Sequence, residues 1–316
     1  MYSPYGMWAQ VPTEPRELAY HRLGFADPKH RWWKPLIEAL IGGPIFVVLS
    51  ILVAIPYMVY LFQSSGSANE MDFALQDLQN RAVEYPADFL MVFLSIVIMW
   101  PCLLIARICM GPKPWGLIHS VLGRIRWSWL ALCVAISLVF YVIVPVTIEL
   151  LAGGELAPEP HAHGNRLLLM LGLVLLVVPF QCYAEELVFR GYLMQTVGRW
   201  LKHPAWAIIL PAPLFMLGHA YDFWGQASIL VMGLAAGFMV WYTGGLEAGI
   251  AMHVVNNLYL MILGVLGMAD PFAQGGTTWV DFVWAVGAEV LLVLVVMFAA
   301  RKVGVSRTHT YRVEVR

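Results

Sequence analysis

Charge is what this chain has least of. Asp, Glu, Lys and Arg make up 12% of its 316 residues, against about 25% in soluble domains. With 60% hydrophobic residues and a mean hydropathy of +0.72, this scarcity excludes an ordinary soluble domain and indicates a membrane protein. Cysteine is sparse as well. Cys102, Cys109, Cys133 and Cys182 all fall in apolar stretches and form no Cys-x-x-Cys, so they read as small apolar residues rather than disulfide or redox partners. The first 35 residues lack the apolar run of a cleaved signal peptide. No nucleotide-binding glycine loop, tandem repeat or nucleic-acid feature is present.

What is there instead is a series of long apolar runs. Eight have the length a bilayer requires: about 36–62, 89–110, 127–151, 167–190, 205–220, 227–243, 246–268 and 279–300. The fifth and sixth are short and broken by Pro or Gly. With the N-terminus inside, 17 of the 19 Lys and Arg residues fall on the inner side, leaving Arg81 and Arg166 outside. The positive-inside rule then predicts eight spans with both termini cytoplasmic, in a plasma membrane by default. The expected fold is all-α: a polytopic membrane protein of about eight transmembrane helices, with its active site inside the bundle.

Four regions follow. Residues 1–35 form an interfacial segment whose His30-Arg-Trp-Trp-Lys-Pro35 end suits the headgroup layer, with a lipid- or partner-binding motif as the alternative. Residues 36–165 hold three scaffold spans, residues 166–300 a catalytic core of five, and residues 301–316 a basic tail. Between spans, 63–87 reads as a loop over the outer mouth and 111–126 as an amphipathic inner-surface segment. His161 and His163, in 153–166, read as part of a solvated loop. Spans one to three carry little polarity beyond Glu38 and Glu149, so the chemistry is expected in spans four to seven.

There, Cys182-Tyr-Ala-Glu-Glu-Leu-Val-Phe-Arg-Gly191 puts Glu185, Glu186 and Arg190 into an otherwise apolar run. Each charge near a bilayer centre costs roughly 2.5–3.5 kcal/mol, an arrangement that packing alone does not explain. Glu186 and Arg190, four apart, share a helix face and neutralise each other. Glu185 lies about 100° further round and needs a partner from another helix. Two more motifs follow: Phe215-x-x-x-His219, and His253-x-x-x-Asn257, whose two polar ends share one face. A carboxylate serves as general base toward water, and a neighbouring histidine shares that water or protonates a leaving amine. His253 with Asn257 supplies donors for a developing oxyanion. Alternatively, Glu185, His219 and His253 are one carboxylate and two imidazoles around Zn²⁺. Each residue also has a plain structural reading, with Glu186–Arg190 an internal ion pair, either histidine or Asn256 or Asn257 a helix–helix hydrogen bond, and Phe215 packing.

These three motifs, in this order and on these spans, resemble the CPBP (Abi) family of CAAX-protease and bacteriocin-processing intramembrane endopeptidases. The resemblance covers about 167–268. Glu185, Glu186 and Arg190 meet its Glu-Glu-x-x-x-Arg pattern, with Phe189 and Gly191 flanking the Arg; Phe215 and His219 meet its second motif, His253 and Asn257 its third. The resemblance implies an intramembrane endopeptidase whose site opens toward the cytoplasm. Glu185 and His219 would activate water, His253 and Asn257 would form the oxyanion hole, and Glu186 and Arg190 would support them. It implies no cofactor, with zinc as the variant, and a membrane-embedded or lipid-linked peptide or protein as substrate. No His-Glu-x-x-His is present, as in site-two zinc proteases, and neither Gly-x-Ser-Gly nor Gly-x-Gly-Asp occurs in any span.

Competing readings are a non-catalytic scaffold, immunity or sensor-partner protein of the same fold, and a transporter with Glu185 and His219 as proton relay. A haem protein with His219 and His253 as axial ligands is a fourth. One depth mismatch also stands. Glu185 lies inward in span four and His219 outward in span five, so span four must be longer and tilted or span five displaced.

Overall fold

The computed structural model describes residues 13–111 and 115–314. Residues 1–12 of the expected interfacial segment, Lys113 of the 111–126 stretch and the last two residues of the basic tail lie outside these. The fold is helical. Its helices are α1 (Lys34–Ser64), α2 (Pro86–Met110), α3 (Trp127–Leu151), α4 (Asn165–Trp200), α5 (Pro204–Met216), α6 (Phe223–Thr243), α7 (Glu247–Val265) and α8 (Trp279–Val303). All but α5 are long and apolar enough to cross a membrane.

The expected fifth span is thus shorter than 205–220. Pro204 starts the helix, and Pro211 and Pro213 inside it each remove a backbone donor and crowd the preceding turn. At 1.5 Å per residue α5 is only about 20 Å long, less than the ~30 Å hydrocarbon layer. His219 therefore sits beyond the helix end, in the non-helical stretch 217–222.

Two strands settle the parity of crossings. β1 (Thr13–Ala19), before α1, pairs antiparallel with β2 (Thr308–Glu314), after α8, from Thr13 opposite Glu314 to Ala19 opposite Thr308. The two sides of the helical array therefore meet at one end, the sheet end, and the chain between them must traverse the bundle an even number of times. The stretch 217–222 supplies the missing crossing after α5. At the far end the Tyr221 hydroxyl donates to the Pro271 carbonyl (3.1 Å), and the Thr277 amide donates to Asp222 (2.8 Å). These bonds lay the α5–α6 connection against the α7–α8 loop. Asp222 also caps α6 by accepting from the Gly225 amide, and a Thr278–Asp281 capping box starts α8.

The sheet also changes the reading of the terminal segments, expected separately as an interfacial anchor and a basic tail. After β1 the chain forms a 3₁₀ turn, Tyr20–Ala26, with Tyr20 fully buried and its hydroxyl donating to the Ile118 carbonyl. The Arg22 guanidinium donates to the Gly198 carbonyl at the end of α4 (2.6 Å). Hydrogen bonds between strands and burial of Tyr20 offset the cost of ordering these residues.

Three further expectations change. The 111–126 stretch does not lie wholly on the surface: Leu117, Ile118 and Val121 are buried beneath the bundle, and Ser120 bridges to Gly245. The 63–87 stretch folds into two short helices, Ala68–Gln76 and Leu78–Arg81. Polarity is also not confined to α4–α7. Asp88 is fully buried between Tyr57 (2.9 Å) and Arg81 (2.7 Å), and Glu289 of α8 is buried and accepts from the Tyr141 hydroxyl of α3. A single carboxylate per apolar helix gives no periodic signal, so its partner is visible only in three dimensions.

The turn between α6 and α7 hangs on one arginine. Arg126 clamps fully buried Glu247 with Nε and Nη2 (2.9 and 2.6 Å), while Nη1 donates to the carbonyls of Thr243 and Ser306 (2.9 Å each). Removing one partner of a buried pair costs about 3–5 kcal/mol, because the other charge is left uncompensated. Arg126→Ala is expected to lose stability on that scale in detergent thermal unfolding, and adding Glu247→Gln should restore part of it. No recovery in the double variant would place the loss elsewhere than the ion pair.

Candidate active site

α4 carries the site because it outlasts the bilayer. Its 36 residues run unbroken from Asn165 to Trp200, through a π-helical segment at Leu187–Leu193. Span four is therefore longer than 167–190, and span five stops early. Segments of π-helix recur at functional sites, and this one holds Arg190.

Glu186 is completely buried. Its Oε1 accepts from Arg190 Nη1 (2.6 Å), the expected i,i+4 pair, and from His253 Nδ1 on α7 (3.1 Å). Arg190 also donates to the Gly233 carbonyl of α6 (3.3 Å) and lies over the Phe215 ring of α5 (4.3 Å). One guanidinium thus ties α4, α5 and α6 together. The close fit of Glu186 against α7 depends on Gly249, where a Cβ would lie 2.7 Å from Glu186 Oε2. Gly249→Ala is therefore expected to destabilise the fold by about 1–3 kcal/mol, as overpacking does, with a lower thermal midpoint. An unchanged midpoint would mean that the carboxylate moves aside freely.

Glu185 differs from its neighbour. It retains 8% exposure against 0% for Glu186, and its two oxygens are unequal. Oε2 accepts from the Gln181 side-chain amide and faces His253 Nε2 at 3.4 Å. Oε1 has no hydrogen-bond partner among the described residues. The structure therefore brings Glu185, Glu186, Arg190, His253 and Asn257 into one connected group, with His253 between the two carboxylates.

His219 is placed otherwise. Its Nδ1 contacts the Phe215 carbonyl (3.0 Å), and its ring packs on Phe215 (5.0 Å between centroids) and Tyr221 (6.0 Å). Phe215 in turn meets His253 edge-on (5.6 Å). The expected Glu185–His219 pairing is thus not made here: the imidazole against Glu185 is His253, because His219 lies past the end of α5. A carbonyl only accepts, so Nδ1 of His219 carries the proton and Nε2 is left uncommitted. Phe215, read as packing, is a packing residue that also spaces the two histidines.

Gln181 was missed. Its Nε2 donates to Glu185, and its Oε1 accepts from Asn257 Nδ2 (3.3 Å) and the Cys182 thiol (3.3 Å). Asn257 Oδ1 accepts from Asn256 (3.0 Å), so one Asn257 amide hydrogen remains free. A lone Gln four residues before Glu185 shares its helix face, and that signal was legible. Its partner on α7 was not.

Among the described residues no three His, Cys, Asp or Glu side chains converge as ligands. Both ring nitrogens of His253 face carboxylates, and Phe215 packs against both histidine rings.

Comparison with known proteins agrees with the motifs. Residues 165–259 match the Rce1-like family. Its description is type II CAAX prenyl endopeptidase, Rce1-like. The Rce1-like region begins with α4 and ends two residues past Asn257, enclosing all seven motif residues, and the CPBP resemblance holds over it. An uncharacterized protein of Bacillus subtilis, YyaK, is 28% identical over 147 residues. That match covers 43% of this chain and 46% of the relative's length, so the chain spans less than half of the relative. No solved structure matches.

Proposed function

We propose that the protein is an intramembrane endopeptidase that hydrolyses a peptide bond in a membrane-associated or lipid-linked peptide or protein. The observation that carries this reading is the asymmetry of the two carboxylates. Glu186 is sealed and neutralised by Arg190, whereas Glu185 keeps one oxygen fixed and the other, Oε1, uncommitted.

In the proposed reaction, Glu185 Oε1 takes a proton from water as the water oxygen attacks the scissile carbonyl carbon. The carbonyl π electrons move to oxygen, and hydrogen-bond donors hold the oxyanion. Asn257, with a free amide hydrogen, is suited to that role. Collapse of the intermediate breaks the C–N bond, and the proton passes to the leaving amine. His253, 3.4 Å from Glu185 Oε2, and His219, with Nε2 uncommitted, are the proton carriers available. No step requires a metal. The excess of Lys and Arg at the sheet end supports placing that end in the cytoplasm. His253 lies six residues into α7, about 9 Å from its sheet-end start, so the site is proposed to open on that side. The match to prenyl endopeptidases makes lipid-modified C-terminal peptides one substrate class within this reading.

The test compares wild type with Glu185→Ala and His219→Ala in native cells, by quantitative proteomics of membrane and secreted fractions. The same few membrane peptides should remain uncleaved in both variants at normal protein level. If both point variants rescue every phenotype of a knockout, catalysis is not the role of the protein.

Gln181 supplies a graded prediction. Gln181→Leu frees Glu185 Oε2 and Asn257 together, and misplacement on the scale of an ångström costs up to about 100-fold in rate. The loss should appear in kcat for a cleaved peptide, with KM little changed. A purely KM effect would make Gln181 a binding residue instead.

A further inference from the structure

A second group of buried charges lies at the sheet end, apart from the candidate active site. It gathers Lys34 and Glu38 at the start of α1, Arg107 near the end of α2, Arg199 near the end of α4, and Asp27 beyond the 3₁₀ turn. Arg107 is more than nine-tenths buried and has no hydrogen-bond partner among the described residues. Arg199 packs over Gly24, where a Cβ would lie 2.1 Å from its Nε, and both Nε and Nη1 are buried without a partner. Glu38 is buried within electrostatic reach of both guanidiniums, and its Oε1 is also without a partner. Lys34 is already paired with Asp27 at 3.0 Å.

That leaves two guanidiniums against one carboxylate. Residues 1–12, 112–114, 315 and 316 contain no Asp or Glu. Buried charges need pairing. Water can satisfy the N–H groups but leaves the charge in place, and an anion does both. The surroundings say which anion is at hand. Trp32, Trp33 and Trp200 are exposed beside the group, and the Trp200 indole donates to the Trp32 carbonyl (2.9 Å). Exposed tryptophans with basic residues mark the headgroup layer. Guanidinium forks match phosphate oxygens in geometry.

We propose that Arg107 and Arg199 bind the phosphate of an anionic phospholipid headgroup at the Trp-lined edge of α1 and α4. The site is separate from the proposed proteolytic centre and does not rest on that reading.

The test uses full-length, delipidated protein in detergent, with native mass spectrometry during titration of phosphatidylglycerol or, separately, inorganic phosphate. Wild type should retain one phosphatidylglycerol, with affinity at least tenfold weaker in Arg107→Gln and in Arg199→Gln. Glu38→Gln, which removes the competing carboxylate, should bind at least as tightly as wild type. Circular dichroism confirms folding. Should Arg107→Gln not fold, Arg199→Gln at the half-buried rim gives the reading alone. Equal retention by wild type and Arg199→Gln, or loss of lipid in Glu38→Gln, would overturn the proposal. Binding of inorganic phosphate without phosphatidylglycerol would overturn the headgroup as the source.

Discussion

Glu185→Gln is expected to reduce peptide cleavage by about 10²–10⁴-fold, the usual contribution of a general base, while leaving the protein at least as stable. The two halves of this expectation have separate causes. Glutamine keeps the length and shape of the side chain, and its carbonyl oxygen can still accept from Gln181. It cannot take a proton from water at Oε1. The adjacent Glu186 is completely buried, so removing the neighbouring like charge relieves repulsion in a medium of low dielectric. Activity and stability should therefore move apart. The measurements are turnover of a peptide identified by the proteomic comparison, and the thermal midpoint in the same detergent. Retention of even a tenth of wild-type turnover would remove Glu185 from the role of base. A large fall in midpoint would instead make it a structural carboxylate, like its neighbour.

Arg190→Ala should act in the opposite sense, through the fold first. The guanidinium is the main counter-charge of Glu186, at 2.6 Å, and also reaches the Gly233 carbonyl and the Phe215 ring. Its loss leaves a sealed carboxylate with only His253 beside it, and breaking one side of a buried pair costs about 3–5 kcal/mol. Loss of packing between α4, α5 and α6 adds to this. The diagnostic is a double variant, Glu186→Gln with Arg190→Met, which removes both charges and keeps the volume. It should recover much of the thermal stability, since replacing a buried pair by neutral groups of similar size is often close to neutral. Activity should stay low, because His253 then loses the carboxylate that holds its Nδ1. If the single variant unfolds within about 1 kcal/mol of wild type, the pair is solvated and the burial argument fails.

Much of the architecture was legible in the chain because a bilayer leaves few options. Apolar runs of the right length must be helices, and the scarcity of charge made the remaining charges conspicuous. The same scarcity marked Glu185, Glu186, Arg190, His219, His253 and Asn257 as candidates. The length of α5 was harder to read. Pro211 and Pro213 signal a possible kink but not where the helix stops, so the sequence does not show that His219 lies beyond the helix end. Glu289 and Asp88 are not legible in the sequence for another reason. A lone acidic residue in an apolar helix shows no periodicity, and its tyrosine or arginine partner is distant in sequence.

Local spacing by itself determined the contacts made within one helix turn: Glu186 with Arg190, and the shared face of Gln181 and Glu185. It also determined that the chain is an array of membrane-spanning helices, since hydropathy and length act residue by residue. Everything that joins one helix to another was decided only by tertiary structure. The choice of His253 over His219 as the neighbour of Glu185, the union of β1 with β2, and the gathering of Arg107 with Arg199 all depend on packing. The physical reason is that hydrogen bonds and ion pairs need their partners within about 3–4 Å. Which helix supplies the partner depends on how long α4 runs, where α5 stops, and how closely Gly249 lets α7 approach.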